Sequence, residues 1–171
     1  MKKNCVHIYY GYGKGKSTAA AGLAARAIGA GKRVLAVYFL KDGSSSETSV
    51  LQNSGVHILF SENCKGFYGF MTPEEQTCCR ENQLSLLNEA IKIAADFDVV
   101  ILDEFLDLAD IGILSTAECE DVIVKSDCEL IVTGHKMWDS LADIADYVTH
   151  FDCIKHPYGC KDLAPRRGIE F

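Results

Sequence analysis

The stretch Tyr10-Gly11-Tyr12-Gly13-Lys14-Gly15-Lys16-Ser17-Thr18 constrains this chain more than any other. It joins an apolar run with strand character, Cys5 to Tyr10, to an alanine-rich run with helix character from Lys16 to about Ala30. A glycine-rich turn between a strand and a helix is the context an anion-binding loop requires. Glycines at 11, 13 and 15 allow positive φ and close backbone approach, so successive N–H groups converge on phosphate oxygens at the positive end of the helix dipole. Lys16 adds a mobile charge, and the Ser17 hydroxyl is of the kind that ligates Mg²⁺. The first glycine of the pattern G-x-x-x-x-G-K-[ST] is here Tyr10, so the match is incomplete. The alternative, a surface loop merely rich in Gly and Lys, leaves the strand before it and the helix after it unexplained.

Downstream, strands and helices are predicted to alternate. Arg33 to Leu40 is a continuous run of β-formers, the pattern of a parallel strand buried on both faces. Ser44-Ser45-Ser46 reads as a mobile loop, and Val56 to Phe60 as a third strand after the turn at Ser54-Gly55. Thr72-Pro73-Glu74-Glu75 supplies an N-cap, a proline in the first turn and a capping glutamate, which predicts a long helix to about Ala95. Asp98 to Leu102 is the next buried strand, Ser115-x-x-Glu118 opens another helix, and Glu129 to Thr133 is a strand followed by Gly134-His135. A helix from Trp138 to Ile144 and a strand from Tyr147 complete the series. The predicted fold is a three-layer α/β sandwich with a mostly parallel sheet, in one domain over residues 1–171. Ligands in such folds bind at the C-terminal edge of the sheet. The 10–18 loop, Lys41, Asp103-Glu104 and Thr133-Gly134-His135 all come after strands and should gather there.

Four apolar residues followed by Asp103-Glu104 match the second element of Mg-nucleotide sites, where an acid at a strand end holds the ion directly or through water. With a net charge of −7, the chain is not expected to bind nucleic acid through phosphate contacts, so an anionic ligand must be held locally. The N-terminus shows no signal-peptide pattern and no span near 18 uninterrupted apolar residues occurs, which predicts a cytoplasmic protein without a membrane partner. The 8 cysteines are scattered without a C-x-x-C pair and read as reduced thiols, with Cys5, Cys128 and Cys153 as small core residues.

Taken together, Tyr-Gly-Tyr-Gly-Lys-Gly-Lys-Ser-Thr-Ala-Ala at 10–20, Phe-Leu-Lys at 39–41, Ile-Leu-Asp-Glu at 101–104, Val-Thr-Gly at 132–134, Ala-Asp-Tyr-Val-Thr at 145–149, Lys-His-Pro at 155–157 and the ending Arg-Gly-Ile-Glu-Phe resemble the CobA/BtuR-type corrinoid adenosyltransferases. The resemblance runs in order along nearly the whole chain. It implies a P-loop (RecA-like) α/β/α fold and an enzyme, typically homodimeric, that moves the 5′-deoxyadenosyl group of MgATP to Co(I) of a reduced corrinoid and releases tripolyphosphate. An electron-donor flavoprotein is the implied partner. On that resemblance Gly11, Tyr12, Gly13, Lys14, Gly15, Lys16, Ser17, Thr18, Lys41, Thr133, Gly134 and His135 would contact ATP. Ser17, Asp103 and Glu104 would hold Mg²⁺, Lys16 and Glu104 would be catalytic, and Phe67, Tyr68 and Phe70 would offer an aromatic surface to the corrinoid.

The chain departs from the family pattern at three places. His135 stands where Thr-Gly-Arg is common, Gly66-Phe67-Tyr68-Gly69 where Gly-Phe-Thr-Trp is common, and Asp42 where glycine is usual. Two further readings stay open at this level: a P-loop ATPase or phosphotransferase acting on another small molecule, and a non-catalytic nucleotide- or corrinoid-binding module.

Overall fold

The computed structural model describes residues 4–61, 68–157 and 165–169. Six parallel strands form one sheet in the order β3-β2-β4-β5-β1-β6. These are β1 (Val6–Tyr10), β2 (Val34–Tyr38), β3 (His57–Phe60), β4 (Val99–Asp103), β5 (Glu129–Gly134) and β6 (Tyr147–His150). The helices are α1 (Lys16–Gly29), α2 (Ser46–Asn53), α3 (Pro73–Ile93), α4 (Asp107–Asp110), α5 (Thr116–Val124) and α6 (Asp139–Ile144). This is the three-layer α/β/α architecture of P-loop, RecA-like proteins.

Alternate residues of the central strands feed two cores, one on each face of the sheet. On one face Ala20, Ala24 and Ala27 of α1, spaced to share a single helix stripe, lie on Ala36, Val99, Ile101 and Ile131. Short side chains let the helix sit close to the sheet, whereas Gly22 of the same helix is exposed and a Cβ there would meet nothing. On the other face Leu86, Leu87 and Ala90 of α3 and Cys119 and Ile123 of α5 cover Leu35, Val37, Val100, Leu102, Leu130 and Val132. Both predicted capping boxes form, with Thr72 accepting from the Glu75 amide and Ser115 from that of Glu118.

Several local expectations are corrected. The region read as a serine-rich loop opens α2 at Ser46, whose Thr48 and Leu51 are buried. Cys5 and Cys128 are only partly buried and Cys153 is exposed, whereas Cys119 is the cysteine thiol packed in the core. Cys79, read as a reduced thiol, is disulfide-bonded.

The register brings the strand ends level. Tyr10 pairs with Gly134 and Tyr38 with Asp103, so the segments leaving β1, β2, β4 and β5 emerge along one edge.

Candidate functional site

The turn from β1 to α1 is closed by its glycines. Gly11 and Gly15 have φ of 116° and 117°, and a Cβ on Gly11 would collide with the Phe151 carbonyl oxygen. Gly13 is equally enclosed, with carbonyl oxygens of Phe151 and Asp152 at 2.6 Å from a Cβ built there. The loop is thus sandwiched between the ends of β5 and β6. Its amides divide into two sets. Gly11 donates to Gly134 and His135 carbonyls and Gly13 to that of Phe151, so these two fix the loop instead of facing a ligand. The first turn of α1 is different: Gly15 caps it without a side-chain bond, and no acidic residue lies in that turn. In α3 and α5 the same positions are satisfied by capping boxes. An uncapped helix start with its dipole unopposed is where an anion gains most.

Lys16 folds back over the loop, its Nζ donating to the Gly11 carbonyl at 2.6 Å and to Gly13 at 3.2 Å. Burial pushes its ammonium below the usual lysine range, against the pull of Asp107, Glu104 and Asp103. Tyr12, Lys14 and Thr18 are exposed around the turn.

Across the edge, Lys41 forms the hub of an oxygen cluster. Its Nζ lies 2.6 Å from Asp103 Oδ2, 3.1 Å from Glu104 Oε1 and 3.2 Å from Ser17 Oγ, while Ser17 donates to Asp103 Oδ2 at 3.0 Å. Asp103 is 1% exposed. Burial by itself would push the Lys41 ammonium down, but the two carboxylates hold it above the usual lysine range. Glu104 moves the same way as its partner: burial raises its carboxyl, and Lys41, already shared with Asp103, only partly offsets that. Thr133 does not reach the solvent side. It is fully buried, donating to Asp103 Oδ1 at 2.7 Å and accepting from the Glu104 amide at 2.8 Å, so it positions the acids. Gly134 lies where a Cβ would meet Leu106 Cβ at 2.5 Å, and that closeness keeps the end of β5 against the 104–107 turn.

Three further residues complete the arrangement: Leu40, which falls within the Phe-Leu-Lys stretch at 39–41, and Gln83 and Asp107, which no sequence motif marks. Leu40 (φ 55°) shares with Glu104 (φ 59°) a left-handed backbone unusual for a non-glycine residue, and the two sit at the ends of adjacent strands. Gln83 of α3, fully buried, accepts from the Leu40 amide at 3.0 Å and leaves its own Nε2 without a partner. Asp107, at the start of α4, accepts from the His135 backbone and meets its ring. Period-based reading marks Gln83 only as a polar residue in a helix, and its contact with residue 40 is a product of the tertiary fold.

Two cavities share one wall. A cleft of about 710 Å³ spans Ser17, Thr18, Lys41, Ser44, Glu47 and Glu104. A second of about 620 Å³ includes Tyr12, Lys41, Tyr68, Glu104, Asp107 and His135. Both are of ligand size, and Lys41 and Glu104 line both. Tyr68 therefore borders the site, whereas Phe70 is 91% exposed and lines neither cavity. Phe67 lies outside the described residues. Among the described residues no group of three His, Cys, Asp or Glu side chains is gathered as a metal site.

An all-parallel sheet with a glycine-rich strand-to-helix turn, a lysine on that turn and a buried aspartate at the neighbouring strand end defines a P-loop protein of the RecA-like class. The family model for ATP:corrinoid adenosyltransferases of the BtuR/CobO/CobP type matches residues 2–171, and the chain belongs to that family of ATP-dependent transferases. It is 30% identical to the corrinoid adenosyltransferase of Escherichia coli over 164 residues, covering 92% of this chain and 81% of that protein. With the corrinoid adenosyltransferase CobA of Salmonella typhimurium it shares 30% identity over 179 residues, covering 99% of this chain and 87% of the relative. An uncharacterized protein of Nostoc sp. is 32% identical over 169 residues; these cover 89% of this chain but only 44% of the Nostoc protein.

Proposed function

We propose that this chain binds MgATP across the 710 Å³ cleft and transfers the 5′-deoxyadenosyl group to Co(I) of a reduced corrinoid, releasing tripolyphosphate. The observation that carries the nucleotide half is the uncapped start of α1, flanked by Lys16 and Lys41 and free of first-turn acids. The corrinoid half rests on family membership and on the second cavity, which meets the first at Lys41 and Glu104.

In this reading the cobalt electron pair attacks C5′, the Co–C bond forms, and the C5′–O bond breaks with its electrons passing to the triphosphate. No protein nucleophile is required. The chain's task is to stabilise charge on the leaving group and to hold the reactants in line. Lys16 exchanges its two loop carbonyls for phosphate oxygens, and the free amides at the start of α1 and the Lys41 ammonium add fixed positive charge. Ser17 and Asp103 present hard oxygens 3.0 Å apart, a donor set that suits Mg²⁺, and Glu104 would hold the ion through water. Bound there, Mg²⁺ would neutralise phosphate charge. Tyr68 offers an aromatic wall to the corrinoid, with Phe67 and Phe70 as further candidates. The same reading includes a homodimer, a cytoplasmic setting and a flavoprotein that supplies electrons to make Co(I).

The test is incubation with MgATP and chemically reduced cobinamide, following the absorption of the Co–C product and identifying the phosphate product. Tripolyphosphate in step with Co–C formation is expected. ADP or AMP would instead indicate a phosphotransferase or ATPase, and nucleotide binding without any product a binding module.

A further inference from the structure

The three side-chain oxygens read above as a Mg²⁺ site already surround a cation, and that cation is part of the chain. Lys41 Nζ lies 2.6 Å from Asp103 Oδ2, 3.1 Å from Glu104 Oε1 and 3.2 Å from Ser17 Oγ. The buried Asp103 carboxylate divides its two oxygens. Oδ1 accepts from Thr133 at 2.7 Å, so Oδ2 is the one left to a metal, and Oδ2 is the atom that Lys41 and Ser17 now share. A carboxylate at that depth is costly to leave without a cation. Hard oxygens gathered at one point are also what a small divalent ion takes. A cation drawing on all three therefore comes to rest where Nζ stands, and the lysine and the metal compete for one place. The ammonium has room to leave. Its side chain is 22% exposed, sits on a flexible four-carbon stem and borders both cavities. A lysine that only cemented the two acids would be closed in by packing, whereas this one has open space on two sides.

We propose that Lys41 is the chain's own substitute for the divalent cation: it holds Asp103, Glu104 and Ser17 while the site is free of metal, and gives them up when Mg²⁺ enters. The inference rests on the metal reading of those three residues. Two consequences follow from the competition. Mg²⁺ by itself binds weakly, because it must displace a paired ammonium from a buried carboxylate, so the ion enters together with a nucleotide whose phosphates neutralise the added charge. The lysine's release is also felt in both cavities at once, since Lys41 and Glu104 belong to the wall between them. Metal loading on the nucleotide side is thereby transmitted to the cavity assigned to the corrinoid.

The test begins without nucleotide. Mn²⁺, a paramagnetic substitute for Mg²⁺, is titrated into the natural chain, Lys41→Met and Lys16→Met, and the free ion is followed by electron paramagnetic resonance. Lys41→Met should bind the ion about 100-fold more tightly than the natural chain, the scale of a buried charge left without its partner. Lys16→Met removes the same charge from the same edge, but that ammonium is bonded to the Gly11 and Gly13 carbonyls, so its gain should stay below about 5-fold. In thermal melts Lys41→Met should lose several degrees in the absence of metal and recover them with Mg²⁺. Equal Mn²⁺ affinity in the natural chain and Lys41→Met overturns the proposal, and so does an equal gain in Lys16→Met, which would assign the effect to net charge. Should Lys41→Met fail to fold, the ammonium resonance of Lys41 in the ¹⁵N-lysine-labelled natural chain decides. It should move with Mg²⁺, alone at high concentration or with ATP, and stay in place with ATP and EDTA; a signal unmoved by Mg²⁺ overturns the proposal. Failure of MgATP to bind overturns the nucleotide reading instead, and the Mn²⁺ comparison and the Mg²⁺-alone signal still judge the lysine.

Discussion

Lys16 is bonded only to backbone carbonyls of its own loop, so its side chain does little for the fold that a water molecule could not do. Lys16→Ala should therefore change stability by no more than about 0.5 kcal/mol while weakening MgATP binding about 100-fold. Calorimetric titration beside a thermal melt checks both halves, and unchanged affinity would remove Lys16 from the site. Glu104 poses a different question, because its backbone and its charge are separable. Glu104→Gln keeps side-chain size and leaves the backbone demand as it is. If the carboxylate holds Mg²⁺ through water, the Mg²⁺ concentration giving half-maximal turnover should rise about 10-fold. An unaltered Mg²⁺ dependence would leave Glu104 with only its Lys41 contact.

At the scale of elements, α3 links two parts of the site. Its first turns hold the Tyr68–Phe70 turn through Gln76, which donates to the Tyr68 and Met71 carbonyls at 3.3 Å, and seven residues on, along the same stripe, Gln83 holds the Leu40 amide. Gln83→Met removes the acceptor for that amide but also removes a buried Nε2 that has no partner, so the two effects on stability oppose each other. Tm should move by less than about 3 °C. MgATP affinity should nevertheless fall several-fold, because the left-handed Leu40 that presents Lys41 loses its anchor. A melt shifted without any change in affinity would assign Gln83 to packing alone. Elements of this kind also show what a sequence discloses. The loop at 10–18, both capping boxes and the buried strands are legible because each is written within a few consecutive residues. Helix α2 is not: Ser-Glu-Thr-Ser-Val-Leu-Gln-Asn carries only two buried positions, and its serines resemble a turn. Nor is Asp107, whose partner His135 lies 28 residues away and reaches it only when β4 and β5 pair. Thr133 has the position after a strand's apolar run that suggests a ligand contact, yet the pleat turns it inward to Asp103. Local chemistry is readable from local sequence, whereas the second layer that orients it arises from register.

Across the whole molecule, the ligand edge draws on four strands that have no covalent reason to stay together there. A ligand bridging their ends should stabilise the entire sheet: MgATP at 100 times its dissociation constant adds about 2.7 kcal/mol, which for a chain of 171 residues raises Tm by roughly 5 to 10 °C. At the same MgATP concentration the shift should shrink to about 1 to 2 °C in Lys16→Ala, and a shift that persists there in full would place the nucleotide elsewhere. Glu104 carries the same logic from binding into heredity. A left-handed backbone costs a non-glycine residue about 1 to 2 kcal/mol, and burial with Asp103 nearby already opposes the glutamate's charge. Glu104→Asn, a residue at ease in that conformation, should melt about 2 to 4 °C higher while Lys41 keeps Asp103, and it should turn over poorly. A laboratory lineage bred for heat alone would be drawn to this codon and would drift out of its trade. One bred for turnover would have to keep the awkward glutamate, so resilience and occupation are inherited here through the same three bases.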